Sequence, residues 1–204
     1  MKMMRVAACA AVLAVAGAGF AFAQGAMASW SDPLNRFSIQ RPASWPVDQA
    51  SNSSPEVGHF IAGAAAADCH FFAIARPQTA ANPPATARAG FATPLTREQW
   101  VQVTSSIQMF HGGGDIQTMR VDNSGAWPIQ RATIKVGTDT IESAIVGRPG
   151  LEIWAFCQSY DATDRTAIFN SIIESVTTPH DAEWATQLTA APAAPAPAGH
   201  NAHH

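Results

Sequence analysis

Few side chains in this chain are equipped for chemistry. Cys69 and Cys157 lie in two apolar, strand-like segments far apart in sequence. An even pair in an exported chain points to a disulfide, with two buried free thiols as the alternative. Nothing resembles a Cys-x-x-Cys redox motif. His59, His70 and His111 are isolated in sequence, and each is expected to be a strand or loop residue with a satisfied ring. His70 follows Cys69 in an alternating strand and should face away from it. His200, His203 and His204 close the chain and could hold a divalent metal only loosely, so a solvated polar end is preferred and no metal site is assigned. Asp161 and Asp164 stand at a helix start, where negative charge suits the dipole. Glu142 and Glu152 fall on consecutive strands and could be neighbours, as surface charges on a half-exposed sheet.

Catalytic motifs are incomplete. His111-Gly112-Gly113-Gly114 is like the oxyanion strip of lipases, but those need a Gly-x-Ser-x-Gly elbow, and Asn123-Ser124-Gly125 does not supply one. A glycine run directly after a helix is better explained as its stop. No phosphate-binding loop surrounds Lys135, and no strand–glycine–helix unit suits a dinucleotide. No cofactor is implied. The remaining candidates are aromatic. Trp45, Trp127 and Trp154 are expected to form a ligand or partner platform if they share a concave surface, whereas Trp100 and Phe110 fall on a helix stripe and belong to a core.

The elements that position these residues can be read from periodicity. Arg36 to Arg41 alternates as a half-buried strand, Pro42 and Pro46 bracket a bend at Trp45, and Gln49 to Pro55 is a polar loop. His59 to Ala62 is a short strand. Cys69 to Ala75 is apolar on both faces, as in a central strand. Arg76 to Arg88, with three prolines, is expected to be a long surface loop. Thr96 and Gln99 form a capping box for a helix carrying Trp100, Val103, Ile107 and Phe110 on one stripe. Segments beginning at Ile116, Ala132, Thr140 and Leu151 are joined by short turns and predict an antiparallel meander. Asp161 or Thr163 caps a second helix with Ile168, Phe169, Ile172, Ile173 and Val176 on one face, which Pro179 prevents from continuing.

The ends are distinctive. Lys2 and Arg5 precede an uncharged apolar run from Val6 to Phe22, and Ala21-Phe22-Ala23 fits a cleavage site before Gln24, so residues 1–23 are expected to be a secretory signal peptide. Cys9 sits too early in that run to be a lipidation site. Loss of Lys2 and Arg5 would take the formal charge from −3 to −5, leaving Lys135 as the single lysine. There is no basic stripe for nucleic acid and no polybasic membrane segment. After cleavage no segment is long and apolar enough to cross a membrane. Residues 179–204 are expected to be a tail, Ala/Pro-rich and disordered from about Thr189.

Two phrases resemble the PsbP-type domain family. They are Phe37-Ser38-Ile39-Gln40-Arg41-Pro42-Ala43-Ser44-Trp45, an aromatic-led strand followed by proline, a small residue and tryptophan, and the closing helix Ile168 to Val176. The order of elements also agrees, over roughly residues 29–178. The resemblance implies an α+β fold, an antiparallel sheet with two main helices packed on it as an α/β/α sandwich. It implies a binding or assembly role, as in the photosystem II extrinsic protein P and a Ran-binding nuclear import factor. No motif here matches the photosystem member's ion-binding residues. The expectation is therefore an exported, periplasmic or secreted, non-enzymatic binding or accessory protein whose partner is an envelope protein or small ligand. A small hydrolase with a dispersed site and a cell-envelope spacer are the alternatives.

Overall fold

The computed structural model describes residues 26–110 and 113–189. The expected signal peptide, Cys9, His111, and the tail histidines His200, His203 and His204 lie outside them. Among these residues nine strands form two sheets. A hairpin of β1 (Met27–Ser31) and β2 (Ser38–Pro42) stands apart from a seven-stranded antiparallel sheet. The large sheet contains β3 (Val47–Gln49), β4 (Val57–Ala64), β5 (Ala67–Ala75), β6 (Asp115–Asp122), β7 (Ile129–Val136), β8 (Asp139–Arg148) and β9 (Leu151–Ser159). Its order is β3-β4-β5-β9-β8-β7-β6. The meander β6 to β9 was legible because its turns are. Gly137 (φ +60°) and Gly150 (φ +75°) take left-handed conformations open to glycine, with Pro149 pre-setting the second turn.

Strand alternation sends side chains to two faces. On one, Phe60, Ala62, Cys69, Phe71, Ala155 and Cys157 pack beneath the hairpin's Phe37 and Ile39 and beneath Phe169, Ile172 and Ile173 of α3 (Thr166–Glu174). The two phrases that carry the family resemblance meet here. Ser38 and Thr177 exchange backbone hydrogen bonds of 2.8 and 3.0 Å, and Gln40 N donates to Ser175 Oγ at 2.7 Å. Cys69 and Cys157 are register partners on β5 and β9, both fully buried, with sulfurs bonded at 2.06 Å.

On the other face, α1 (Pro84–Ala92) packs against β7 and β8, and α2 (Arg97–Ser105) against β6. Trp100, Ile107 and Phe110 bury against Ile116, Ile134, Ile141 and Phe156. Gly147 on β8 admits this packing: a Cβ there would meet the Phe91 ring at about 2 Å. The architecture is an antiparallel sheet between helical layers, the α+β sandwich expected.

Several expectations need correction. Residues 76–88 are not a loop throughout. A 3₁₀ turn covers Pro77–Thr79, and α1 begins at Pro84. Pro84 stands in the first turn, where its missing N–H costs nothing, and Ala-rich sequence carries the helix on. The capping box at Thr96 forms, with Gln99 N donating to Thr96 Oγ and Thr96 N donating to Gln99 Oε1. The helix stops at Ser105, and Phe110 reaches the core through a separate 3₁₀ turn. The second helix starts later than its expected caps, at Thr166, whose N–H donates to Asp164 Oδ1. Residues 181–189, expected to be tail, form α4 (Asp181–Thr189). Asp181 receives Thr178 N and the Thr178 hydroxyl, which starts a new helix just past Pro179.

Candidate functional site

The expected tryptophan platform does not assemble. Trp45 is buried against Phe169 on the α3 face, ring centroids 6.5 Å apart. Trp127 is buried where α4 docks. The Arg148 guanidinium lies 4.4 Å from its ring centroid, Trp184 meets it edge-on at 5.7 Å, and Arg148 Nε and Nη2 donate to Asp181 at 2.7 and 3.0 Å. Only Trp154 is half-exposed, on the opposite face from Trp45. Its neighbours are different aromatics. Register pairs His59 with Phe72 and Phe72 with Trp154, so one row of rings crosses β4, β5 and β9. The His59 ring stacks on Phe72 at 4.1 Å with planes 17° apart. All three are half-buried, because α1 and α2 pack over β6, β7 and β8.

Beside Trp154 the row opens into a groove of about 490 Å³, floored by Phe91, Leu95, Val103 and Ile145. Arg76 and Glu152 form its polar rim: Arg76 Nη2 donates to Glu152 Oε2 at 2.8 Å, and Trp154 Nε1 donates to the same oxygen at 3.1 Å. Apolar walls with a few fixed polar groups are the usual make-up of a ligand site.

His59 and His70 are not isolated. They sit diagonally across the β4–β5 pair, His59 Nε2 3.0 Å from His70 Nδ1. Asn52 Oδ1 lies 3.0 Å from His59 Nδ1, and Asp68 Oδ2 3.5 Å from His70 Nε2. Tyr160 donates its hydroxyl to Asp68 Oδ2 at 2.7 Å, and burial is the main reason its pKa is raised. Burial, then the neighbouring His70, pushes the His59 pKa down to about 4, which keeps its ring neutral at neutral pH. His70 does face away from Cys69, as alternation required. What single-residue reading missed was register: pairing of Ile61 with His70 brings the two histidines together.

The carboxylates are otherwise engaged. Glu142 and Glu152 are not neighbours. Glu142 pairs with Cys157 on the α3 face, whereas Glu152 pairs with Gly147 and faces α1 and α2. Burial pushes the Glu142 pKa up, against a hydrogen bond from Thr133. Asp161 binds Arg165 and the Thr163 N–H, and both hold its pKa well below the carboxylate range. These groups line a polar cleft of about 520 Å³. Its acids already have partners, so it offers no paired acid and base.

No protein-family model matches the chain, and no curated protein matches it in sequence. Solved structures do. The solution structure of cyanobacterial PsbP (CyanoP) from Synechocystis sp. PCC 6803 is similar, with 11% identity and a TM-score of 0.50, over 80% of this chain and 98% of that one. A protein from Bacteroides thetaiotaomicron, determined as a crystal structure, aligns at 10% identity and TM-score 0.43, over 78% of this chain and 50% of that one. The cyanobacterial likeness spans nearly the whole of its partner, and with the sheet and helices described above it establishes that this chain has a PsbP-like fold.

Proposed function

We propose that this is an exported, non-enzymatic binding or accessory protein that holds its partner, an envelope protein or a small ligand, on the open part of its sheet. The observation carrying this reading is the His59–Phe72–Trp154 row with its adjoining groove. Three rings stand half-exposed on central strands, where rigid backbone preorganises them and little entropy is lost on binding. The Cys69–Cys157 bond supports an oxidising compartment. The positive start and apolar run of residues 1–23 support export by a cleaved signal. The described residues contain no helix long and apolar enough to cross a membrane.

The test is site-specific photo-cross-linking in the producing cell. A benzophenone side chain at Ile61, on the open face, should give a discrete adduct. The same group at Ala167, on the outer side of α3, should not. Equal adducts from both positions, or none from Ile61, would contradict the reading.

A further inference from the structure

The large sheet has two outer strands, and they end it differently. β3, Val47–Gln49, has three residues and is too short to template another strand. β6, Asp115–Asp122, has eight, and among the described residues it pairs with β7 alone. Alternate residues of a strand turn their N–H and C=O away from a single neighbour, so β6 carries unpaired backbone groups along its outer side. Its first part is closed off. The register shifts between Ile116 and Thr118, Gln117 Nε2 donates to the Asp115 carbonyl at 3.3 Å, and Arg97 Nη2 donates to the Ile116 carbonyl at 2.9 Å. A bulge and side chains on the backbone blunt an edge. Over residues 118–122 no other described group bonds the backbone beyond the pairing with β7, and no proline or lysine interrupts it.

The side chains of that stretch suit an added strand. On the side of α1 and α2, Met119 is 39% exposed and Val121 half-buried, which makes an apolar margin. On the α3 side, Arg120 lies directly opposite Arg131. Arg131 is buried and answered by α3, donating from Nη1 to Asn170 at 2.8 Å and from Nη2 to Glu174 at 2.9 Å. Arg120 is exposed and forms no ion pair among the described residues. Like charges directly opposite weaken a strand pair, and opposite charges strengthen one. The position lacking an acid is therefore the outer side of Arg120, where the next strand would lie.

We propose that residues 118–122 receive an extended segment of another protein as one more strand. That segment carries an acidic residue opposite Arg120, flanked in sequence by apolar residues that lie against Met119 and Val121. Main-chain bonds supply its affinity and alternate side chains its selectivity. A second copy of this chain is disfavoured. Antiparallel self-pairing centred on this stretch sets Arg120 against Arg120, with Arg131 behind each. β7 and β8 separate this edge from β9 and the aromatic row, so the inference stands apart from the reading above.

The probe is a short peptide alternating Thr and Val, with one central Thr replaced by Glu, beside the same peptide with Lys in that place. Titrated into the ¹⁵N-labelled full chain, the Glu peptide should slow hydrogen exchange at alternate amides of residues 118–122 and leave β3 unchanged. The Lys peptide should bind about fivefold more weakly, and Arg120→Glu should reverse that order. Sedimentation of the chain alone should give a monomer. The proposal is overturned if neither peptide slows exchange at β6 up to about 1 mM, or if both bind the unaltered chain equally. A dimer that protects the same amides without peptide would assign the edge to a second copy and overturn it too.

Discussion

The two faces of the large sheet are built for different ends. Beneath α3 and the hairpin, the β4–β5–β9 part of the sheet is apolar and closed: Phe37, Phe60, Phe71, Ile172, Ile173 and both cysteines are at most 1% exposed. On the other side of the same strands, one residue along, stand Asp68, His70, Phe72, Trp154 and His59, all half-buried. Period-2 alternation turns one set of strands into a structural wall on one side and a chemically equipped surface on the other. Conformational stability should therefore reside mainly in the first set and partner contact in the second.

Adjacent residues give the sharpest contrast. Phe71→Ala opens a cavity in a fully packed core and should cost about 3–5 kcal/mol. Phe72→Ala removes a half-exposed ring that touches His59 and Phe156, and should cost about 1 kcal/mol. Paired urea denaturation of the two variants measures the difference, and equal losses would break the distinction between faces.

The disulfide comes next in size. Cys69 and Cys157 close a separation of 88 residues, so removing the bond should lower stability by about 2–4 kcal/mol. Intact mass with and without reductant, after alkylation, checks that the bond exists. Two thiols alkylated without reduction would refute it.

The smallest effect concerns Glu142, a half-buried acid on the α3 side of β8. Burial raises the Glu142 pKa in the folded protein above its unfolded value. The folded state then holds its proton more tightly, and stability falls as pH rises through the folded pKa. Glu142→Gln should remove that loss, a few tenths of a kcal/mol for a half-buried group facing solvent, with gain at pH 7 and none near pH 4. A gain that is the same at both pH values would trace to packing instead.

How far the sequence foretold all this depends on which physical signal each part leaves. The meander was readable because Gly137-Thr138 and Pro149-Gly150 punctuate clean alternation. The cysteine pair was readable from its even count and the signal-like start of the sequence. α1 was hidden because Pro83 and Pro84 look like breakers, although a proline in the first turn starts a helix. α4 was hidden because Pro179 looked like the end of the packed chain and everything after it was assigned to the tail, although Trp184 and Asp181 dock the helix on Trp127 and Arg148. The histidine pair was illegible for another reason. It depends on a tight turn within Ala64-Ala65-Ala66-Ala67, which carries no glycine, proline or asparagine to fix the register. A one-residue slip there would have sent each histidine's partners to the other face. Trp45 and Trp127 were misassigned because burial of a large aromatic is decided by what packs on it, here α3 and α4.

The division of labour between the faces is tested most directly by combining the Ile61 photo-cross-link with substitutions on each side. In the Phe72→Ala background the adduct should be lost while the thermal midpoint stays within a few degrees of the parent. An adduct that persists at full yield without the Phe72 ring would contradict the assignment of binding to the open face.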